Sequence, residues 1–395
     1  MAKSVCFYFQ VHQPYRIRRF TVFDIGKTAS YFDESVNKDI IQRVAKECYL
    51  PMNELILKHI KKKGIKVAFS ITGCALEQFS KYAPEVIQSF KELAATGNVE
   101  FLSETYYHSL SSLYSPDEFV EQVQLQSDAI YSMFDHVPKV FRNTELIFSN
   151  KLAQDIEKMG FKGVLSEGAD YVLDSASPNY VYSAKETRNL KLLLKNYILS
   201  DDLAFRFSDV NWTEWPLKVS KYQKWLQEAE GDVVNLFLDY ETFGEHQKKD
   251  TGILDFMDQF FDEVDLSFMT PSEAIDKYEV AGSLDVALPI SWADSERNLS
   301  AWVGNKMQNS AVQSLFGLEH DVKSMHDQNL LDVWRKMQGS DHFYYMCTKW
   351  FNDGDVHKYF NPFESPYEAF IAFMNIVNDL KERTKNEAVG TVESA

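Results

Sequence analysis

Short apolar runs recur through the first part of this chain, and most of them end in polar residues. Helical patterns separate the runs, as at Pro116–Phe134 and Asn150–Met159. Strands that alternate with helices favour βα units arranged in a parallel sheet, and near-continuous apolar strands indicate a sheet covered on both faces. The runs are Val5–Val11, Lys66–Ile71, Val99–Leu102, Lys139–Arg142, Gly163–Ser166 and Val233–Leu238.

The pattern changes after residue 270. Thr270 is placed to cap a helix that has Pro271 at its first position, and amphipathic segments such as Leu330–Met337 follow. We therefore predict a barrel domain over residues 1–270 and a helical region over residues 271–383 that completes the active-site cleft. Residues 384–395 are polar and are expected to form a frayed tail.

Composition limits the partners and the compartment. Acidic residues outnumber Lys and Arg by 58 to 41, a formal charge of −17, which argues against nucleic acid and anionic membranes as partners. No run reaches the roughly 18 apolar residues that span a bilayer. The four cysteines are scattered and the first residues lack a signal-peptide pattern, so we expect reduced thiols and a cytoplasmic protein. Composition does not indicate an oligomeric state.

In a barrel of parallel strands, the carboxyl ends of the strands carry the chemistry. Pro14 ends the first strand and keeps Gln13 extended, which predicts that His12 and Gln13 project into a cleft. Alternation places Glu100 on the same side of its strand as Glu104. The simpler interpretations are a structural hydrogen bond for His12 and polar residues that merely start loops.

Two further carboxylates stand where a strand passes into a loop. Arg142 precedes Glu145 in the segment RNTEL and would hold that carboxylate ionised, as a covalent nucleophile requires; a buried Arg–Glu pair is the alternative. Asp239 emerges from the apolar segment LFLD, where desolvation would raise its pKa and suit a general acid. Glu241 and His246 follow it, so a metal site and a plain acidic loop are alternatives there.

Two tryptophans bracket polar side chains in the segment WADSERNLSAW. Trp292 and Trp302 suit stacking against a sugar ring, with Asp294 near enough in sequence to bind its hydroxyl groups. The alternative is a helix start with Trp302 in the core. An acidic pair, Asp201 and Asp202, lies close to an arginine and forms a possible further site.

Five segments, HQP, GNVEFLSE, RNTEL, DYETFG and WADSERNLSAW, occur in this order. Together they resemble the five sequence regions of glycoside hydrolase family fifty-seven, most closely its α-amylase-like branch. The resemblance covers about residues 5–305. It implies an α/β fold with an incomplete (β/α)7 barrel followed by a C-terminal helical region, and retaining chemistry on α-glucans.

Carried over by motif, the resemblance implies that Glu145 is the nucleophile, that Asp239 is the general acid/base and that His12 lies in the donor-sugar subsite. The family's chemistry requires no metal, and we expect no cofactor. The motif segments supply the other expected substrate-binding residues, Gln13, Glu100, Arg142, Glu241, His246, Trp292, Asp294 and Trp302.

The prediction is therefore an enzyme that hydrolyses α-1,4-glucans such as glycogen, starch or maltodextrin through a covalent glycosyl-enzyme. A 4-α-glucanotransferase or a branching enzyme on the same scaffold is the first alternative, because the fifth segment, which separates the specificities, is divergent. More distant alternatives are a metal-dependent deacetylase or mannosidase and a non-catalytic glucan-binding protein. The nine histidines are dispersed and form no HxH or HxxxH pair, which disfavours the metal-dependent classes.

Overall fold

The structure is a computed structural model that describes residues 3–349 and 361–392. Helices and strands alternate through its first part, as the sequence predicts. The strands in the described ranges are Ser4–Val11 (β1), Val67–Ile71 (β2), Val99–Phe101 (β3), Val140–Arg142 (β4), Gly163–Glu167 (β5), Val181–Ala184 (β6), Lys191–Lys195 (β7), Val233–Asp239 (β8), Ser267–Phe268 (β9) and Val280–Leu284 (β10).

Parallel strands form a ring in the order β8-β1-β2-β3-β4-β5-β7. Ladders join β8, β1, β2 and β3 into one sheet, and β4, β5 and β7 into another. At one joint, a parallel bridge pairs Ser103, just after β3, with Phe141 of β4. At the other, the Asn196 N–H donates to the Asn235 carbonyl at 2.9 Å, and the Asn235 amide donates to the Leu194 carbonyl at 2.9 Å. The bridge at one joint and the two hydrogen bonds at the other stand in place of a ladder between the described strands, so the seven-stranded barrel is incomplete, as predicted.

The remaining strands extend the sheets at their edges. β6 runs antiparallel to β7, β10 runs parallel to β6, and β9 pairs with the start of β1. β10 falls inside the segment that we expected to be helical from residue 271. It is a strand because its backbone finds an open sheet edge at β6, and helices dominate only from Ser300 onward.

The helices of the barrel pack around its outer face, and a further set follows the last strand. A π-helix at Ala45–Tyr49 separates α1 from α2, and short 3-10 turns occur at Thr144–Leu146, Tyr240–Thr242 and Lys249–Thr251. The helices are Glu34–Val44 (α1), Leu50–Lys63 (α2), Gly73–Tyr82 (α3), Pro84–Ala94 (α4), Ser111–Tyr114 (α5), Pro116–Phe134 (α6), Asn150–Lys158 (α7), Asp170–Leu173 (α8), Tyr197–Ala204 (α9), Val219–Glu228 (α10), Ile253–Glu263 (α11), Pro271–Lys277 (α12), Ser300–Val303 (α13), Lys306–Phe316 (α14), Glu319–Ser324 (α15), Gln328–Lys336 (α16), Ser340–Tyr344 (α17) and Pro366–Val392 (α18).

Alternation along the strands divides the core into two layers. Outward-facing side chains such as Phe9 and Phe69 pack against the helices. Inward-facing side chains, including Tyr8, Leu165 and Phe237, form a separate apolar cluster inside the barrel. Polar residues at the carboxyl ends of the strands therefore stand above an apolar floor that excludes water from below.

The start of α12 has the predicted cap. The Thr270 side chain accepts from the Glu273 N–H at 3.4 Å, and the Glu273 carboxylate accepts from the Thr270 N–H at 3.1 Å. Pro271 occupies the first helical turn, where its missing N–H is not needed.

The C-terminal helices have a core of their own, built around Trp302, Trp334 and Phe373, which packs on the loop that follows β1. α18 continues to Val392, so the expected frayed tail is helical over its described part; residues 393–395 lie outside the described range. No proline interrupts this segment, which removes the strongest helix breaker. Among the described residues, no helix is both long and apolar enough to cross a bilayer.

Candidate active site

Two connected hollows open at the carboxyl ends of the barrel strands. Counted together with the open solvent space at their mouths, the larger chamber occupies about 750 Å³ and the smaller chamber about 460 Å³. Glu145, Asp239, His246 and Trp292 line both, so the two predicted catalytic carboxylates lie where the chambers meet. The larger chamber is also lined by Lys195, Asp201, Phe205, Asp294, Arg297, Trp302 and Tyr344, and the smaller by Gln10, His12, His108, Glu241 and Asp341.

Glu145 lies in the 3-10 turn that follows β4, in an unusual backbone conformation. Its φ is +58° and that of Leu146 is +51°, a region that costs free energy for residues other than glycine. Both carboxylate oxygens are held: Oε2 accepts from the Trp292 Nε1–H at 2.8 Å, and Oε1 accepts from the Ser340 hydroxyl at 2.6 Å. The strained turn and the two donors fix this carboxylate in the cleft.

Asp239 is the last residue of β8 and pairs in register with Gln10 of β1. The strand before it is buried, so the carboxyl group emerges from an apolar environment, as the sequence predicts. Gly244, in the loop that follows, has a φ of +131°, and a Cβ there would collide with the carbonyl of Glu47. Only glycine lets the loop pack this closely against the π-helix.

A pair of stacked histidines forms one wall of the smaller chamber. His12 and His108 have ring centroids 4.0 Å apart. His12 Nδ1 lies 2.9 Å from the Thr72 hydroxyl and Nε2 lies 2.8 Å from Asp341 Oδ2. Burial, followed by the nearby charge of His108, lowers the pKa of His12. His12 thus reaches the cleft, as predicted.

Glu104 is the buried partner of His108. His108 Nδ1 lies 2.9 Å from Glu104 Oε2, and Glu104 Oε1 accepts from the Gln10 amide at 2.9 Å. Burial raises the pKa of Glu104, but the bonds and charge of His108 lower it more. For His108, burial lowers the pKa, yet Glu104 and Glu145 raise it to about 9.

Glu241 borders the smaller chamber but is bonded away from it. Its Oε1 accepts from the His12 N–H at 3.2 Å and from the Tyr49 hydroxyl. Burial, with the charge of Asp239 next, raises the pKa of Glu241 to about 8. Gln13 was predicted to project into the cleft, but it is buried. Its amide donates to Glu241 at 3.4 Å, behind the wall of the smaller chamber.

Arg142 is buried beneath the cleft and stacks on Trp292. Its guanidinium carbon lies 4.8 Å from the centroid of the indole ring, and its three nitrogens have no hydrogen-bond partner among the described residues. The Lys195 ammonium lies 5.4 Å from the same centroid. The same indole donates a hydrogen bond to Glu145. Arg142 is therefore linked to the Glu145 carboxylate through Trp292.

Glu100 does not lie in the cleft, which corrects its assignment as a substrate-binding residue. Its Oε2 accepts from the Ser272 N–H at 2.8 Å, in the first turn of α12, and its Oε1 accepts from the Ser272 hydroxyl. Ser272 lies beside Glu273, which pairs with Lys66 just before β2, so Glu100 faces the amino ends of the strands. Alternation was predicted correctly, but it is Glu104, four residues further along the chain, that bonds two residues lining the cleft, Gln10 and His108.

The remaining predicted residues line the larger chamber. Asp294 and His246 border it, and Trp302 contributes part of its surface. Trp302 is also 1% exposed and belongs to the core of the C-terminal helices. It therefore both borders the chamber and packs in the core, the two positions that the sequence left open. Its Nε1–H has no hydrogen-bond partner among the described residues.

A model of glycosyl hydrolase family 57 matches residues 6–287. The chain belongs to this family. It is a glycoside hydrolase, and the resemblance to this family that the five ordered motifs suggested is confirmed.

Curated relatives carry the name alpha-amylase. A protein of Methanocaldococcus jannaschii is 39% identical over 394 residues, which are 95% of this chain and 84% of the relative. Alpha-amylase 1 of Dictyoglomus thermophilum is 24% identical over 207 residues, and an alpha-amylase of Pyrococcus horikoshii is 22% identical over 304. The chain spans 29% and 45% of the length of these last two relatives.

Solved structures of family 57 share the fold. A 4-alpha-glucanotransferase from Thermococcus litoralis superposes with a TM-score of 0.67 at 15% identity, covering 87% of this chain and 56% of that chain. A branching enzyme from Thermococcus kodakaraensis superposes with a TM-score of 0.66 at 13% identity, covering 99% and 92%. At these identities the likeness establishes the fold alone.

Several residues of the cleft were not predicted from the sequence. Ser340 and Asp341 belong to α17, where no strand end marks them, and His108 lies in a loop. Asp201, from the acidic pair noted in the sequence, does line the larger chamber. Lys195, at the end of β7, pairs with it at 3.0 Å.

Glu167, at the end of β5, joins this charged group. Its carboxylate lies 3.9 Å from the Lys195 ammonium and 3.8 Å from the Arg297 guanidinium. Burial raises the pKa of Glu167 to about 7 despite these two cations. Over residues 3–349 and 361–392, no three His, Cys, Asp or Glu side chains form a group that could hold a metal ion.

Proposed function

We propose that this enzyme hydrolyses α-1,4-glucans with retention of anomeric configuration, with Glu145 as nucleophile and Asp239 as general acid/base. The observation that carries the proposal is that these two carboxylates line both chambers of the cleft. The name of the M. jannaschii relative, at 39% identity, supports an α-glucan as substrate.

The reaction proceeds by two displacements. Glu145 attacks the anomeric carbon while Asp239 donates a proton to the departing glycosidic oxygen, so the bond to Glu145 forms as the glycosidic bond breaks. Water then attacks the same carbon and gives its proton to Asp239, which releases the sugar and frees Glu145. The donors Trp292 and Ser340 orient the nucleophile before the first step.

The glucan crosses both chambers in this proposal. The donor sugar occupies the smaller chamber beside His12, and the remaining sugars occupy the larger chamber along Trp302 and Tyr344. Aromatic rings suit the apolar faces of pyranoses. The free cysteines among the described residues support a reducing, cytoplasmic location, which cell fractionation would test.

Transfer to a second sugar is the alternative outcome of the same first step. In this alternative a sugar hydroxyl replaces water as the group that attacks the anomeric carbon, and glucanotransferase and branching enzymes share the fold. Incubation with maltoheptaose and with glycogen separates the activities: shorter products alone indicate hydrolysis, longer products indicate transfer, and new α-1,6 linkages indicate branching. Glycogen binding without shorter products, longer products or new α-1,6 linkages would contradict an enzymatic role.

Two substitutions test the residue roles. Glu145→Gln keeps the shape of the side chain and should abolish turnover while the circular dichroism spectrum is unchanged. Asp239→Asn should slow substrates with poor leaving groups far more than activated aryl glycosides, because only the former need protonation. Full activity of the Glu145 variant, or equal losses for both substrate types in the Asp239 variant, would contradict the assignments. Loss of activity on chelation would favour the metal-dependent alternative.

A further inference from the structure

His108 lies outside the motif segments, yet it contacts the proposed nucleophile. Its Nε2 is 3.6 Å from Glu145 Oε1, and its Nδ1 is 2.9 Å from Glu104 Oε2. The side chain is buried, with 4% of its surface exposed. The imidazole therefore lies between two buried carboxylates, one on each ring nitrogen.

The backbone holds His108 in this position. Its φ is +51°, a conformation that is costly for a residue with a side chain. Its carbonyl accepts from the Ser340 N–H at 2.9 Å, and the Ser340 hydroxyl bonds Glu145. One residue of α17 thus fixes both the histidine and the carboxylate.

The charges around His108 come from four elements. Glu104 follows β3, Glu145 follows β4, the His12 ring from the end of β1 stacks at 4.0 Å, and Asp341 of α17 pairs with His12. Burial lowers the pKa of His12, and the charge of His108 lowers it further. The favoured state is a protonated His108 between two carboxylates, stacked on a neutral His12.

We propose that His108 is a positioning residue of the reaction, whose imidazolium bridges Glu104 and Glu145 and keeps the Glu145 carboxylate ionised and aimed at the anomeric carbon. The proposal rests on the proposed function of Glu145. Glu104 neutralises the added positive charge, so the three groups together carry the same single negative charge as a lone carboxylate. The imidazolium therefore orders the nucleophile without disfavouring the positive charge that develops on the sugar ring in the transition state.

The bridge itself is tested without measuring activity. In protein labelled with ¹⁵N-histidine, His108 should titrate near pH 9, and its signals are identified by their loss in His108→Gln. Its pKa should fall by at least about one unit in Glu104→Gln and also in Glu145→Gln, because each removes an opposite charge within 4 Å. Titration of His108 near its ordinary value in the unmodified enzyme, or an unchanged pKa in Glu145→Gln, would overturn the proposal.

Kinetics test the consequence for catalysis. His108→Gln should lower kcat about 100-fold with little change in KM, and should remove a basic limb near pH 9 from the pH profile. His320→Gln, at an exposed position on α15, is the matched control and should change neither. A merely structural histidine would lower the amount of folded enzyme and leave the shape of the pH profile unchanged, which would overturn the proposal.

The two arms separate this proposal from the role of Glu145. If the pKa of His108 shifts in Glu145→Gln but that variant remains active, the bridge exists and the nucleophile has been assigned wrongly. If Glu145→Gln is inactive but His108 titrates normally, the nucleophile stands and the bridge is refuted. Glu104→Gln keeps the test open should His108→Gln fold poorly.

Discussion

The buried carboxyl of Glu241 should make the stability of this enzyme depend on pH. Its pKa is raised to about 8 from an ordinary value of 4.5, because it lies out of water and near Asp239. The folded state therefore binds this proton more tightly than the unfolded chain does. The resulting stabilisation is fully present below the unfolded pKa and is lost as the pH rises through the folded pKa.

The size of the effect follows from the gap of about 3.5 pKa units. At about 1.4 kcal/mol per unit, ionising Glu241 costs about 5 kcal/mol of unfolding free energy once the pH exceeds 8. Glu241→Gln cannot ionise and keeps an oxygen that accepts from Tyr49 and the His12 N–H. Between pH 5 and pH 8, the free energy of unfolding of the unmodified enzyme should therefore fall by about 4 kcal/mol relative to this variant.

Guanidinium unfolding followed by tryptophan fluorescence at pH 5, 6, 7 and 8 measures this difference. Glu92→Gln, at an exposed position on α4, is the control and should show no comparable slope, because its side chain meets water in both states. A difference between the unmodified enzyme and Glu241→Gln that stays constant over this range would refute the reasoning.

Three further substitutions probe other parts of the structure. Trp292→Phe keeps an aromatic side chain but removes the 2.8 Å hydrogen bond to Glu145; kcat/KM should fall about 10- to 100-fold, and an unchanged value would show that the bond does not orient the proposed nucleophile. Gly244→Ala places a Cβ against the carbonyl of Glu47 and should lower the unfolding free energy by about 3 kcal/mol or more; calorimetry that finds an unchanged Tm would contradict the packing. Glu100→Ala should lower the unfolding free energy by about 1–3 kcal/mol and leave kcat/KM unchanged, whereas a large loss of activity would return this residue to the cleft.

The strand ends were predictable because they depend on local patterns. Apolar runs of strand length end at or within a few residues before His12, Glu145 and Asp239, and the carboxyl ends of parallel strands meet at one edge. The alternation that grouped Glu100 with Glu104 was also correct. Which of the two contacts the residues that line the cleft depends on how far along the barrel axis each one lies, and alternation carries no information on that distance.

The parts supplied by the C-terminal helices could not be predicted in the same way. Ser340 and Asp341 belong to a short helix whose sequence resembles an ordinary polar helix start. Their contacts with Glu145 and His12 depend on how that region docks. Gln13 was expected in the cleft and is buried instead. Its burial depends on the position of Tyr49, to which its amide donates, and the motif around Gln13 does not specify that position.

The anchoring of Glu145 by Ser340 has a consequence for the order of events during synthesis. The hydrogen bond joins residues 195 positions apart, and the bond between His12 and Asp341 joins residues 329 apart. Ser340 and Asp341 follow every strand of the barrel along the chain, so during synthesis they emerge after the strands. All the barrel strands are therefore synthesised before the residue that holds the proposed nucleophile, and under the proposed function glucan cleavage begins only after α17 has left the ribosome and docked.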